Sequence, residues 1–256
     1  LNNGLKLGER KKFELAAFDI GNLYHSAIKD FFDTINTNNI KWADLDDKKS
    51  ENIINDSIEK VMEQYENDAL NDIARSAFIK KQVKDTSTET VNALVKHIRS
   101  GNFLPREYEL RIAHGRVDRV DTFEDGNNIY VKVIDYKSGN KVFNVTETFL
   151  GLQMQLMVYL KDTVDYIKKN NPDKNVYPAA GLYFHVYDPY VSEIDCEKAV
   201  SDFRKKNPDS ELSDEELKKM AIEKERFKAY RMSGLVAKEI EIVNAMDHNT
   251  ITKTGS

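Results

Sequence analysis

Gly115-Arg-Val-Asp118-Arg-Val-Asp121 and, one turn later, Val133-Ile-Asp135-Tyr-Lys137-Ser-Gly139 are the stretch whose reading decides the fold. Between them stands Glu124-Asp-Gly-Asn-Asn128, a cluster of turn formers that joins two strands as a hairpin. Side chains alternate along a strand, so Val131, Val133, Asp135 and Lys137 share one face. The valines can reach a core while Asp135 and Lys137 emerge at the strand end. A hairpin paired in register brings Asp118 alongside Asp135.

Two carboxylates meeting at one point repel each other and are costly there without a cation. Magnesium suits them, because it favours oxygen ligands and keeps waters for a substrate phosphate; manganese is expected to substitute. One or two such ions can activate a water and stabilise the charge that builds on a phosphodiester during cleavage. Lys137, two residues beyond Asp135, can orient that water and stabilise the developing charge.

Working outward, Tyr108, Leu110 and Ile112 alternate with Glu109 and Arg111 and predict a strand before the hairpin. A solvated strand face accounts for Glu107 and Glu109, although either can stand behind the metal ligands. Residues 147–169 read as one long helix closed by Asn170-Asn-Pro172. Gln155 and Tyr159 lie on one face of it, with Gln153 competing for that register. Ala180–Val186 is an apolar strand. Residues 1–34 read as helix, with Leu23, Ala27 and Phe31 as its apolar stripe, His25 off that stripe and Asp19 as a cap. Residues 36–100 read as a helical insertion or cap. Its helices fall near 51–66, 69–82 and 87–99, with loops at Thr34–Asn39 and Lys84–Thr88. The 196–246 region reads as a charged helical tail. The order predicts a mixed α/β core, about 101–190, inside a single 1–256 domain.

The 256 residues suffice for a full core, and no apolar run approaches the roughly 20 residues a membrane helix needs. The opening at Leu1, inside a predicted helix, reads as a fragment of a longer chain. A net charge of −5 argues against a protein that simply coats DNA. It leaves room for an enzyme whose basic groups line a groove. Cys196, the only cysteine, excludes an internal disulfide and a cysteine-based zinc site, which fits a reducing cytoplasm.

Asp118 followed by Asp135-Tyr-Lys137 resembles the PD-(D/E)XK nuclease signature in its RecB-like form, "GRVDRVD" with "DYKSG". Gln155-Leu-Met-Val-Tyr159 is similar to the QxxxY motif of that branch, and His25 in "GNLYHSAIKDFF" to its early-helix histidine. Gly4–His25, Ala179–Pro189 and Arg231–Val236 further resemble the carboxy-terminal region of the B subunits of AddAB-type helicase–nucleases. The resemblance covers most of the chain in patches, leaving 36–100 and 200–230 less specific. It implies a restriction-endonuclease-like α/β fold, a mixed sheet flanked by helices with helical insertions. It also implies metal-dependent exonucleolytic cutting of DNA in double-strand-break repair and recombination, with an AddA-type helicase/ATPase partner. The implied metal ligands are His25, Asp118, Asp135 and the Tyr136 backbone carbonyl. Lys137 assists the water, and Gln155 and Tyr159 position the strand. The family also implies a four-cysteine iron–sulfur cluster, for which this chain lacks the cysteines; none is predicted in it.

Each assignment has a rival. Asp135 and Lys137 alone would be an ordinary strand-end ion pair, and Asp121 competes with Asp118 for the metal. His97, His114, His185 and His248 are alternatives to His25. A stand-alone RecB-like exonuclease is one alternative function, and a non-catalytic DNA-binding or subunit-docking module is another.

Overall fold

The two turn clusters make the sheet. Gly126-Asn127 joins β2 (Gly115–Asp125) to β3 (Asn128–Lys137), pairing them antiparallel from Asp125↔Asn128 to Arg119↔Ile134. A second tight turn at Ala113-His114 pairs β1 (Leu104–Ile112) with β2, starting at Ile112↔Gly115. β4 (Asn175–His185) lies parallel to β3, with Asp135↔Tyr183 and Lys137↔His185 in register. A parallel neighbour needs a crossover. Here it is α4 (Val145–Phe149) followed by α5 (Gln155–Asn170). β5 (Ser233–Val236) closes a five-stranded mixed sheet of order β1-β2-β3-β4-β5. The computed structural model describes residues 17–69, 73–139, 143–151, 153–208 and 211–247.

Helices cover both faces of the sheet. On one, α1 (Ala17–Thr37), α2 (Asp47–Ala69) and α3 (Ile73–Ser100) bury Phe31, Ile54 and Leu94 in one cluster with Ile134, Leu182 and Phe184. Each such side chain removed from water contributes about 1.5–3 kcal/mol. On the other, Leu160, Val164 and Ile167 of α5 meet Val120, Val131 and Val133. Alternate residues of β3 thus serve opposite cores. α6 (Glu193–Lys206) and α7 (Asp214–Ala229) pack on each other, and α8 (Ile240–Ala245) ends near the start of β1. No helix among the described residues is long and apolar enough to cross a membrane.

Five expectations about elements change. Of the loop expected at 34–39, residues 34–37 belong to α1. Residues 84–88 are not a loop: α3 runs through them, with Thr86, Ser87 and Thr90 buried among the helices, so tertiary packing overrides their weak helix propensity. The single helix over 147–169 is broken, because the Gln153 side chain accepts the Asn144 N–H at 3.1 Å and donates to Glu147, folding the chain back between α4 and α5. The tail is not wholly helical, since Ser233–Val236 pairs with Ala180–Tyr183 as the edge strand. A strand this short carries no periodicity of its own, and its pairing partner makes it. Asp19, expected as a cap, lies inside α1, while residues 1–16 and His248 fall outside the described residues.

Candidate active site

The β2–β3 ladder runs to Arg119↔Ile134, so the next positions along the two strands are Asp118 and Asp135. The Tyr136 N–H donates to the Asp118 carboxylate at 2.7 Å, fastening Asp118 across the strand end. Asp135 is buried and ion-paired with Lys137, whose Nζ stands 5.4 Å from the centre of the Tyr183 ring. α1 supplies the fourth group. His25 Nδ1 lies 3.5 Å from an Asp118 oxygen, and its ring meets Tyr136 edge-on. Gly21, one helical turn earlier on the same face, permits this approach, because a Cβ there would sit 2.8 Å from Ser138 Oγ.

Glu109 completes the cluster, and here the solvated-face reading is corrected. Tyr108↔Arg119 and Leu110↔Val117 flank it, which sets Glu109 opposite Asp118. Its φ of +51° lies in the left-handed region, unusual for a non-glycine residue. Tyr108 stacks on Phe32 under α1, whereas Leu110 packs in the α5-side core. Residues two apart on a regular strand would share a face. The kink at Glu109 separates them and turns its side chain inward, where it is 14% exposed and paired with Arg116 at 2.5 Å. His25, Glu109 and Asp118 each offer a ligand atom, all within 4.8 Å of one another. Such backbone strain is found at ligand clamps and active sites.

The charges of this cluster oppose one another. Burial and the neighbouring Asp118 both raise the pKa of Asp135, against the pull of Lys137. The same two causes raise that of Glu109, against Arg116. Burial would lower the pKa of His25, but its hydrogen bond to Asp118 and the surrounding carboxylates of Asp118, Glu109 and Asp135 prevail and raise it. Buried carboxyls crowded against one another beside a single histidine form a site short of positive charge. One imidazole and several carboxylate oxygens are a donor set for a divalent metal ion.

With this geometry in place, the comparisons with known proteins decide the family. The model of the PD-(D/E)XK nuclease superfamily matches residues 1–247. This chain belongs to that superfamily. Among curated relatives, the B subunit of an ATP-dependent helicase/deoxyribonuclease from Exiguobacterium sibiricum is 31% identical over 265 residues, covering 95% of this chain and 21% of the relative. The corresponding B subunit from Clostridioides difficile is 30% identical over 268 residues, covering 97% of this chain and 21% of its own length. That of Alkaliphilus oremlandii is 29% identical over 266 residues, covering 96% and 21%. The chain therefore spans about a fifth of the length of the curated relatives it matches. The mixed sheet flanked by helices is the PD-(D/E)XK arrangement.

The remaining residues of this PD-(D/E)XK chain sort by position. Gln155 Nε2 donates to the Tyr159 hydroxyl at 3.0 Å, while the Gln153 side chain is engaged in the α4–α5 turn. Tyr159 in turn leans on Gly115, where φ is +151° and a Cβ would stand 2.9 Å from the ring and hydroxyl. Asp121 is set apart from the acidic cluster. Fully buried, it accepts from Arg119 at 2.6 and 2.7 Å and pairs with Lys132 at 2.9 Å. His97 is buried against Asp247, His114 bonds Asp162 and His185 bonds the Gly139 carbonyl. Among the described histidines, His25 is the one in the acidic cluster. Glu109 is the residue that the sequence reading set on a solvated face or at most behind the metal ligands. Its signal was the tight turn at 113–114, from which counting back along both strands sets 109 against 118.

Proposed function

We propose that this chain is a metal-dependent deoxyribonuclease that hydrolyses DNA phosphodiester bonds from an end. The observation that carries the reading is the convergence of His25, Glu109 and Asp118 beside the Asp135–Lys137 pair. His25, Asp118 and Asp135, with the Tyr136 carbonyl, would hold the metal, and Glu109 joins them from β1. The ion we propose is magnesium, with manganese as a substitute. Bound there, the ion supplies Lewis-acid stabilisation of a phosphate and acidification of a water.

The chain's own groups supply the rest. The Asp118 carboxylate is oriented by the Tyr136 N–H before any ligand arrives, so little reorganisation is needed on binding. Lys137, which pairs with Asp135, would orient the attacking water and donate toward the phosphate as charge builds. Gln155 and Tyr159, linked to each other on α5, present polar atoms for the DNA backbone. Because the relatives are subunits of an ATP-dependent helicase/deoxyribonuclease, the wider role we propose is double-strand-break repair and recombination with an AddA-type ATPase partner.

Cleavage of end-labelled single-stranded DNA, with magnesium or manganese and with chelator, tests the reading. Shortening of the label that needs metal and disappears in Asp135→Ala is the expected result. A folded chain that neither binds manganese nor cuts would overturn it and leave a docking module.

A further inference from the structure

His114 occupies the tip of the β1–β2 turn, between the strands that carry Glu109 and Asp118. Its side chain is 70% exposed, yet it does not hang free. Asp162 of α5, whose side chain is 8% exposed, accepts from the His114 backbone N–H at 3.1 Å and contacts ring Nδ1 at 2.8 Å. A mostly buried carboxylate is thus committed to an exposed imidazole. Holding a surface side chain in one orientation costs conformational entropy and fills no core. The fixed ring keeps Nε2 as the nitrogen left available to a ligand.

Its location suits a ligand that also passes Gln155 and Tyr159. Gln155, Tyr159 and Asp162 fall at positions i, i+4 and i+7 of α5 and share one helix face. Seven residues of helix span about 10.5 Å. Tyr159 touches Gly115, the residue next to His114, so the hairpin tip lies against the face of α5 that carries Gln155 and Tyr159. We propose that His114, oriented by Asp162, contacts a backbone phosphate of the DNA strand beyond the point of cleavage. In such a complex a protonated ring would give Nδ1–H to Asp162 and Nε2–H to a phosphate oxygen, so that the cation lies between two anions. The bond from His114 also holds the Asp162 carboxyl below the usual carboxylate range, which keeps that acceptor ionised.

This rests on the nuclease reading above, and the test separates the two. Affinity for a fluorescent oligothymidylate would be measured in chelator over a salt series, and kcat and KM in magnesium, for wild type, His114→Gln, His114→Lys and Asp162→Asn. His114→Gln is expected to raise Kd and KM about three- to tenfold at unchanged kcat. The log–log salt slope should fall by roughly 0.7, the share of one phosphate contact on a single strand. His114→Lys should restore the slope and most of the affinity. Asp162→Asn should weaken binding in the same direction. If Asp162 merely ties the turn to α5, its variant loses stability while His114→Gln leaves Kd and slope at wild-type values, which overturns the inference but not the nuclease. Absence of cutting and of DNA binding by the wild type would instead sink the nuclease reading itself.

Discussion

Asp118 and Asp121 stand three residues apart on one strand, and Asp121→Asn separates their roles. Asp121 and Arg119 are both 0% exposed and share two hydrogen bonds, and Lys132 approaches the same carboxylate from β3. Asparagine keeps the volume but removes the charge, leaving two buried cations facing a neutral amide. Breaking a buried ion pair from one side costs about 3–5 kcal/mol, and two stranded cations set the expected value at the upper half of that range. For a chain of this size, about 4 kcal/mol corresponds to a melting temperature lower by roughly 8–16 °C. Urea unfolding followed by far-ultraviolet circular dichroism, with and without manganese, is the assay. The folded variant should still gain stability from manganese, by about 2.7 kcal/mol at one hundred times Kd. Asp118→Asn should behave oppositely, with metal-free stability unchanged or raised by relief of repulsion and the manganese-induced gain lost. If Asp121→Asn costs less than about 1 kcal/mol, the value of an exposed pair, the buried-network argument fails. If it instead abolishes the manganese gain at unchanged stability, Asp121 is the ligand and Asp118 is not.

Other expectations follow from neighbouring residues. Glu109→Gln should weaken manganese binding, read by calorimetry, at least about tenfold. Glu109→Gly should do the same while leaving metal-free stability within about 1 kcal/mol of wild type, because glycine relieves the positive φ; a large loss would refute the strain assignment. Gly115→Ala meets both a φ of +151° and the Tyr159 ring, and should cost about 1–3 kcal/mol in urea unfolding, partly recovered by Tyr159→Leu. For pH, burial raises the Asp121 pKa, but Arg119 and Lys132 outweigh it, so the folded value lies below the ordinary one. That contribution is fully present above the ordinary aspartate pKa of about 3.9 and is lost as pH falls through the lower folded value. An acid-unfolding step below about pH 4 should therefore be present in wild type and diminished in Asp121→Asn.

Much of this architecture is written locally. Two turns determine the acidic row: Ile112↔Gly115 and Asp125↔Asn128 set the registers of both hairpins, and counting along the strands aligns Glu109, Asp118 and Asp135. The spacing of Asp118, Asp135 and Lys137 was legible for that reason, as was the Gln155–Tyr159 pair, since turns and helix faces are short-range geometry. Four things have their physical reason only in the tertiary structure. Thr86–Thr90 is helical because neighbouring helices bury it, against its own propensity. Ser233–Val236 is a strand because β4 offers an unpaired edge. Glu109 turns inward because a single residue takes a left-handed φ, which alternation assumes never happens. His25 joins the acids because Gly21 lets α1 rest against Ser138 at the end of β3, across more than a hundred residues of chain. Periodicity and turn chemistry report what lies within a few residues. Which distant helix leans on a strand end, and which buried charge meets which, depends on packing that no local pattern encodes.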